Sequence, residues 1–121
     1  MDISKRSLGR WGEEKAAIYL KKQGYKILEQ NARTSYGEID IVASKYDTII
    51  FVEVKTRRSK AYGNPEESIT QEKREHIINS GQAYLVDHPE LGSNWQIDVI
   101  SIQCDQGNVT EIIHFENAIS E

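Results

Sequence analysis

Asp40, Glu53 and Lys55 are the residues whose types and spacing could do chemistry. Twelve residues separate the two acids, and one separates Glu53 from the lysine. Two carboxylates that lean together can hold one divalent cation through hard oxygen donors. Whether they meet depends on the strands that carry them. Residues 38–43 and 48–56 read as two strands joined by Ser44-Lys45-Tyr46-Asp47. Along the second, Ile49, Phe51, Glu53 and Lys55 share one face, and Ile50, Val52 and Val54 share the other. A symmetric four-residue loop sets position 40 opposite position 51. Asp40 is then the diagonal neighbour of Glu53 on the same face, with Cα atoms roughly 7–8 Å apart. The flanking residues Ile39, Ile41, Val42, Ile49, Ile50, Phe51, Val52 and Val54 are strongly β-forming, as in a central strand. Two acids and a lysine at the end of such strands are costly to desolvate unless something pairs them. The pattern alone fits equally well a half-exposed strand whose Glu53 and Lys55 simply face water.

The remaining elements follow from periodicity and punctuation. Ser7 can cap a first helix running to about residue 23, where Gly24 is a good stop. A strand follows over residues 25–33, then a turn at Ser35-Tyr36-Gly37. Residues 57–67 contain Gly63-Asn64-Pro65 and read as a loop. Ser68-Ile69-Thr70-Gln71 fits a capping box for a second helix ending near His88-Pro89. Residues 96–104 and 109–115 are strands around Gln106-Gly107-Asn108. The expectation is one α/β domain over residues 1–121, a mixed β-sheet flanked by helices in the order α-β-β-β-α-β-β. The third and fourth strands should be parallel, since a helix separates them.

Bulk composition narrows the function classes. With 38% apolar and 28% charged residues, the chain reads as globular. No apolar run approaches the ~20 residues that span a bilayer, and no apolar signal core follows the N-terminus. A single cysteine, Cys104, cannot form an internal disulfide, so the cytoplasm is the expected compartment. The net charge of −4 argues against a general nucleic-acid coat protein. Residues 87–121, however, carry seven acids and no Lys or Arg. The basic residues therefore concentrate elsewhere, most densely at Lys55, Arg57, Arg58 and Lys60. Such a patch can contact phosphates, or be no more than a solvated loop. His76, His88 and His114 form no zinc-ligand spacing with Cys104. Trp11, Trp95, Tyr62 and Tyr84 suit packing better than base stacking.

Gly37-Glu38-Ile39-Asp40-Ile41-Val42-Ala43 and Phe51-Val52-Glu53-Val54-Lys55-Thr56-Arg57 together resemble the PD-(D/E)xK nuclease signature. More narrowly, the chain resembles the YraN-like family, which is similar to archaeal Holliday-junction resolvases. The likeness extends to Gly9-Arg10-Trp11-Gly12-Glu13, Gly24-Tyr25, Asn31, Arg33, Gly63-Asn64-Pro65, Lys73 and Gln96-Ile97-Asp98-Val99-Ile100. One departure is that Glu38-Ile39 stand where the signature has a proline. The resemblance implies a restriction-endonuclease-like fold and a site for Mg²⁺ or Mn²⁺. Asp40 and Glu53 would be metal ligands, and Lys55 would orient the attacking water or stabilise charge on phosphate. Glu13 matches a helical acid that adds to the metal site, though an acid there also suits a helix surface. Arg57, Arg58 and Lys73 are candidate phosphate contacts. In a regular strand Arg57 continues the face of Lys55, which places it nearer the site than Arg58. Gln71 could reach the attacking water or a phosphate, but capping with Ser68 suits it better. The expected partner is nucleic acid, DNA before RNA, and the resemblance suggests a homodimer. A binding module without turnover and a protein-interaction subunit remain open as alternatives.

Overall fold

The computed structural model describes residues 4–58 and 69–120. Lys60, Tyr62, the expected turn at Gly63-Asn64-Pro65 and the expected cap Ser68 lie outside the described residues. Helix α1 (Lys5–Lys22) is followed by β1 (Lys26–Thr34), β2 (Gly37–Lys45) and β3 (Thr48–Arg57). Helix α2 (Gln71–Asp87), a 3-10 turn (Pro89–Leu91), β4 (Trp95–Asp105) and β5 (Asn108–Ile119) complete it. The five strands form one sheet in the order β1-β2-β3-β4-β5. β3 and β4 are parallel and every other neighbouring pair is antiparallel. This is the expected α/β architecture and element order. No helix among the described residues is long and apolar enough to cross a membrane.

Each face of the sheet buries one helix. Ala16, Ala17 and Leu20 of α1 pack on Ile41, Ala43, Ile50, Val52, Ile100 and Ile102. Tyr84 of α2 packs on the other face with Val42, Phe51, Ile97 and Val99. The run Ile49-Ile50-Phe51-Val52 is continuous because β3 is covered on both sides.

Three local expectations need correction. Ser4, not Ser7, caps α1, because its hydroxyl accepts from Ser7 N at 3.1 Å. The helix therefore starts earlier, and Gly24 at φ 93 marks its end. Thr70 caps α2 by accepting from Lys73 N at 3.1 Å. With a lysine as the third helical residue, no acid reaches back, so the capping box does not form. The β2–β3 turn is two residues, Tyr46-Asp47, and Lys45 pairs with Thr48. Tyr46 at φ 55 permits that tight reversal. Lys45 stays extended, with Nζ donating to Gln23 O at 3.1 Å and lying 4.6 Å from the Tyr25 ring centroid. Position 51 therefore faces Val42, not Asp40. The partner of position 40 moves by two places, so Asp40 and Glu53 still share a face.

At the far edge, Asp98 is fully buried in β4. It accepts from Asn117 N at 2.8 Å and from Gln96 Nε2 at 2.9 Å, and meets His114 Nε2 at 2.7 Å. His114 Nδ1 lies 3.1 Å from the Tyr19 hydroxyl, so this chain of contacts ties β5 to β4 and α1. It sits where β5 bulges past Asp98, between the Ile97 and Val99 pairings.

Candidate active site at a fork in the sheet

The central ladder stops before its strands do. The β2–β3 pairing ends at Ile41↔Val52. β2 runs on beside β1 to Gly37, and β3 runs on beside β4 to Arg57. The sheet forks here. Continuing the register one step brings Asp40 opposite Glu53. Beyond the fork the Val54 N–H has lost its β2 partner, and Asp40 Oδ2 accepts from it at 2.8 Å. The side chain thus replaces a ladder bond and is drawn into the cleft.

That position makes Asp40 hard to ionise. Its pKa is raised from 3.8 to about 8, first by burial and then by the charge of Glu53, with Glu13 adding to it. The Val54 N–H and the Lys55 ammonium pull the other way. Lys55 Nζ lies 3.3 Å from Glu53 Oε1, and both side chains are 19% exposed. Lys73, one turn into α2, stands beside Lys55. Hydrogen bonding and repulsion from that ammonium hold the Lys73 pKa below its usual value, against the charge of Glu53. Two cations from different elements therefore flank the carboxylates.

Glu13 approaches from α1. A Cβ on Gly12 would collide with the Thr56 hydroxyl of β3, so only glycine lets the helix lie this close. The next residue is then held at the fork. Glu13 is half-buried and its pKa is raised, mainly by burial and by Glu38. The Asn31 amide faces two carboxylates, Glu13 Oε1 and Glu38 Oε1, each at 2.8 Å; acceptors on both sides assign that position to its nitrogen, with oxygen and nitrogen exchanged, so that it donates to both. Asn31 sits in β1 at φ 53, between the Gln30↔Ile41 and Ala32↔Ile39 pairs, which puts it level with Asp40.

The fold therefore gathers Asp40, Glu53, Lys55 and Lys73, with Glu13 alongside. Arg57 ends β3 partly buried, and Arg58 follows it exposed. Gln71 turns to its own helix, with Nε2 donating to Glu75 Oε1 at 3.5 Å; the expected capping partner Ser68 lies outside the described residues. Asn31 and Glu38 lie at the site although sequence reasoning gave them no role. The available signal was an asparagine inside a strand, a residue that tolerates left-handed backbone. None of the histidines joins a metal-holding group among the described residues, and no three acids do so as they stand. The donors at the fork are nonetheless carboxylate oxygens, and a half-buried pair of like charges is what a cation relieves. The set suits a small hard ion that needs only one or two protein carboxylates and takes the rest from water and phosphate. Mg²⁺ and Mn²⁺ fit; softer ions lack ligands here.

A mixed sheet between two helices, with Asp, Glu and Lys at a fork, defines a PD-(D/E)xK-like protein of the nuclease superfamily. The chain belongs to Uncharacterised protein family UPF0102, whose model matches residues 12–102. It is 49% identical over 113 residues to a UPF0102 protein of Syntrophomonas wolfei, covering 93% of this chain and 97% of that one. A UPF0102 protein of Syntrophotalea carbinolica is 43% identical over 118 residues, covering 98% and 95%. Among solved structures, the SfsA protein of Pyrococcus furiosus in complex with Ca²⁺ overlaps at a TM-score of 0.34 and 14% identity. That overlap covers 90% of this chain and 61% of that protein.

Proposed function

We propose that this protein is a Mg²⁺- or Mn²⁺-dependent nuclease that hydrolyses phosphodiester bonds in DNA, branched forms included. The observation that carries the reading is the Asp40 carboxyl. It is held at the fork by Val54 N–H, its pKa is pushed up to about 8, and Glu53 and two lysines stand at the same place. A cation between the two acids would relieve the repulsion that raises the Asp40 pKa.

Asp40 and Glu53 would hold the ion, with Glu13 completing the site from α1. When bound, the ion supplies Lewis-acid polarisation of the phosphate and lowers the pKa of water. Lys55, steered by Glu53 Oε1, presents its ammonium to a non-bridging phosphate oxygen and stabilises the charge that grows as water attacks. Lys73 offers a second ammonium to the same phosphate, which relieves its repulsion with Lys55. Arg57 and Arg58 extend the basic rim along the departing strand and position the backbone without reading bases. The products are a phosphomonoester and a free hydroxyl.

The test is cleavage of linear, single-stranded, flapped and four-way DNA with Mn²⁺. Wild type should cleave at least one of them, while Asp40→Asn and Lys55→Ala should lose activity by at least about a hundredfold. Cleavage unchanged in both variants would refute the site. Cation-independent DNA binding without cleavage would favour a binding module instead.

A further inference from the structure

Within β1, Asn31 breaks the strand conformation with a left-handed backbone at φ 53. Glycine would adopt that conformation at no steric cost, so the backbone alone does not call for asparagine. What asparagine adds is an amide. That amide reaches Glu13 in α1 and Glu38 in β2 at 2.8 Å each. These acids lie on different elements and repel each other, and Glu13 also feels Glu53. The two acids thus share a single NH₂ group, level with Asp40 in the sheet.

We propose that Asn31 is a positioning residue: its amide fixes the Glu13 carboxylate by Oε1 and leaves Oε2 to the cation at Asp40 and Glu53. The inference rests on the metal-site reading above. A carboxylate with one oxygen tied by a neutral donor is oriented without losing its charge. Removing such a supporting donor typically lowers metal affinity by ten- to a hundredfold. Asn31 is exposed at the rim of the site, which puts the expected loss at the lower end of that range.

The experiment measures Mn²⁺ affinity by the electron paramagnetic resonance signal of free Mn²⁺, without DNA and without reference to cleavage. Asn31→Gly keeps the left-handed backbone and removes the amide. It should melt no lower than wild type in EDTA and should bind Mn²⁺ about tenfold more weakly. Asn31→Ser, with a shorter donor, guards against a folding defect peculiar to glycine and should also weaken binding. In Glu13→Gln the amide no longer has a ligand to orient. Adding Asn31→Gly to that background should therefore cost no further affinity, whereas a merely structural role makes the two losses additive. Unchanged affinity in Asn31→Gly, or additive losses, overturns the proposal even where wild type binds Mn²⁺ through Asp40. If wild type binds no Mn²⁺, or binds it as well after Asp40→Asn, the metal-site reading itself fails and this inference with it.

Discussion

Asp40→Asn should stabilise the metal-free protein, and by an amount that grows with pH. The carboxyl has a pKa of about 8 in the folded chain against 3.8 as its ordinary value. A folded pKa above the unfolded one means that the native state holds its proton more tightly. Stability linked to Asp40 is thus fully present below about pH 4 and is lost as pH rises to about 8. Each pH unit of displacement corresponds to about 1.4 kcal/mol. The ionised residue therefore weighs on the apo fold by several kcal/mol above pH 8. The amide variant can still accept from Val54 N–H and never ionises. It must desolvate its own amide, and water entering the open side of the site eases the wild-type charge. We expect the stability difference, variant minus wild type, to rise by about 1–3 kcal/mol between pH 4.5 and pH 9. For a chain of this length that is roughly 4 °C of melting temperature per kcal/mol. The assay is urea unfolding of both proteins in EDTA across that range. A difference that stays flat with pH, or a variant less stable at pH 9, would show that Asp40 carries no such strain.

Millimolar Mn²⁺ should raise the melting temperature of wild type by mass action and that of Asp40→Asn far less, as differential scanning fluorimetry with and without EDTA will show. In DNA-binding titrations over several salt concentrations, the Arg57→Ala, Lys73→Ala double variant should flatten the log K against log salt slope by about two; an unchanged slope removes both from the phosphate contacts. Gly12→Ala should cost about 1–3 kcal/mol by urea unfolding, since the new methyl meets Thr56. Asp98→Ala should cost about 3–5 kcal/mol, because His114, Gln96 and the Asn117 N–H lose a common buried acceptor.

How much of this was legible in the sequence differs by element. The alternation along 49–55 placed Glu53 and Lys55 on one face, and hairpin parity added Asp40. Parity survives a register change of two, so the shared face held although the turn was two residues and not four. What parity cannot encode is the fork. It arises because β2 stays with β1 while β3 stays with β4, and those preferences belong to strands far apart in sequence. The cap positions were misplaced by a few residues because several Ser and Thr side chains stand close together before each helix, and only backbone geometry selects one. The approach of Glu13 depends on a glycine–threonine contact between α1 and β3, which no local pattern reports. The role of Asn31 needed both a backbone angle and two partners from other elements.

The irregularities of the sheet have a distribution of their own. The two inner ladders, β2–β3 and β3–β4, pair without a register shift. The two outer ones are broken, β1 between Ile27 and Glu29 and β5 at two places. Left-handed residues fall on both outer strands as well, Asn31 on β1 and Asn117 on β5. An outer strand with a flat, regular row of free N–H and C=O groups is a template on which another chain can add and aggregate. Bulged and twisted outer strands refuse that addition. The kink that brings an amide to the carboxylates on one side, and the bulge clasped by Asp98 on the other, thus also interrupt the regular rows on which a second copy would have to pair.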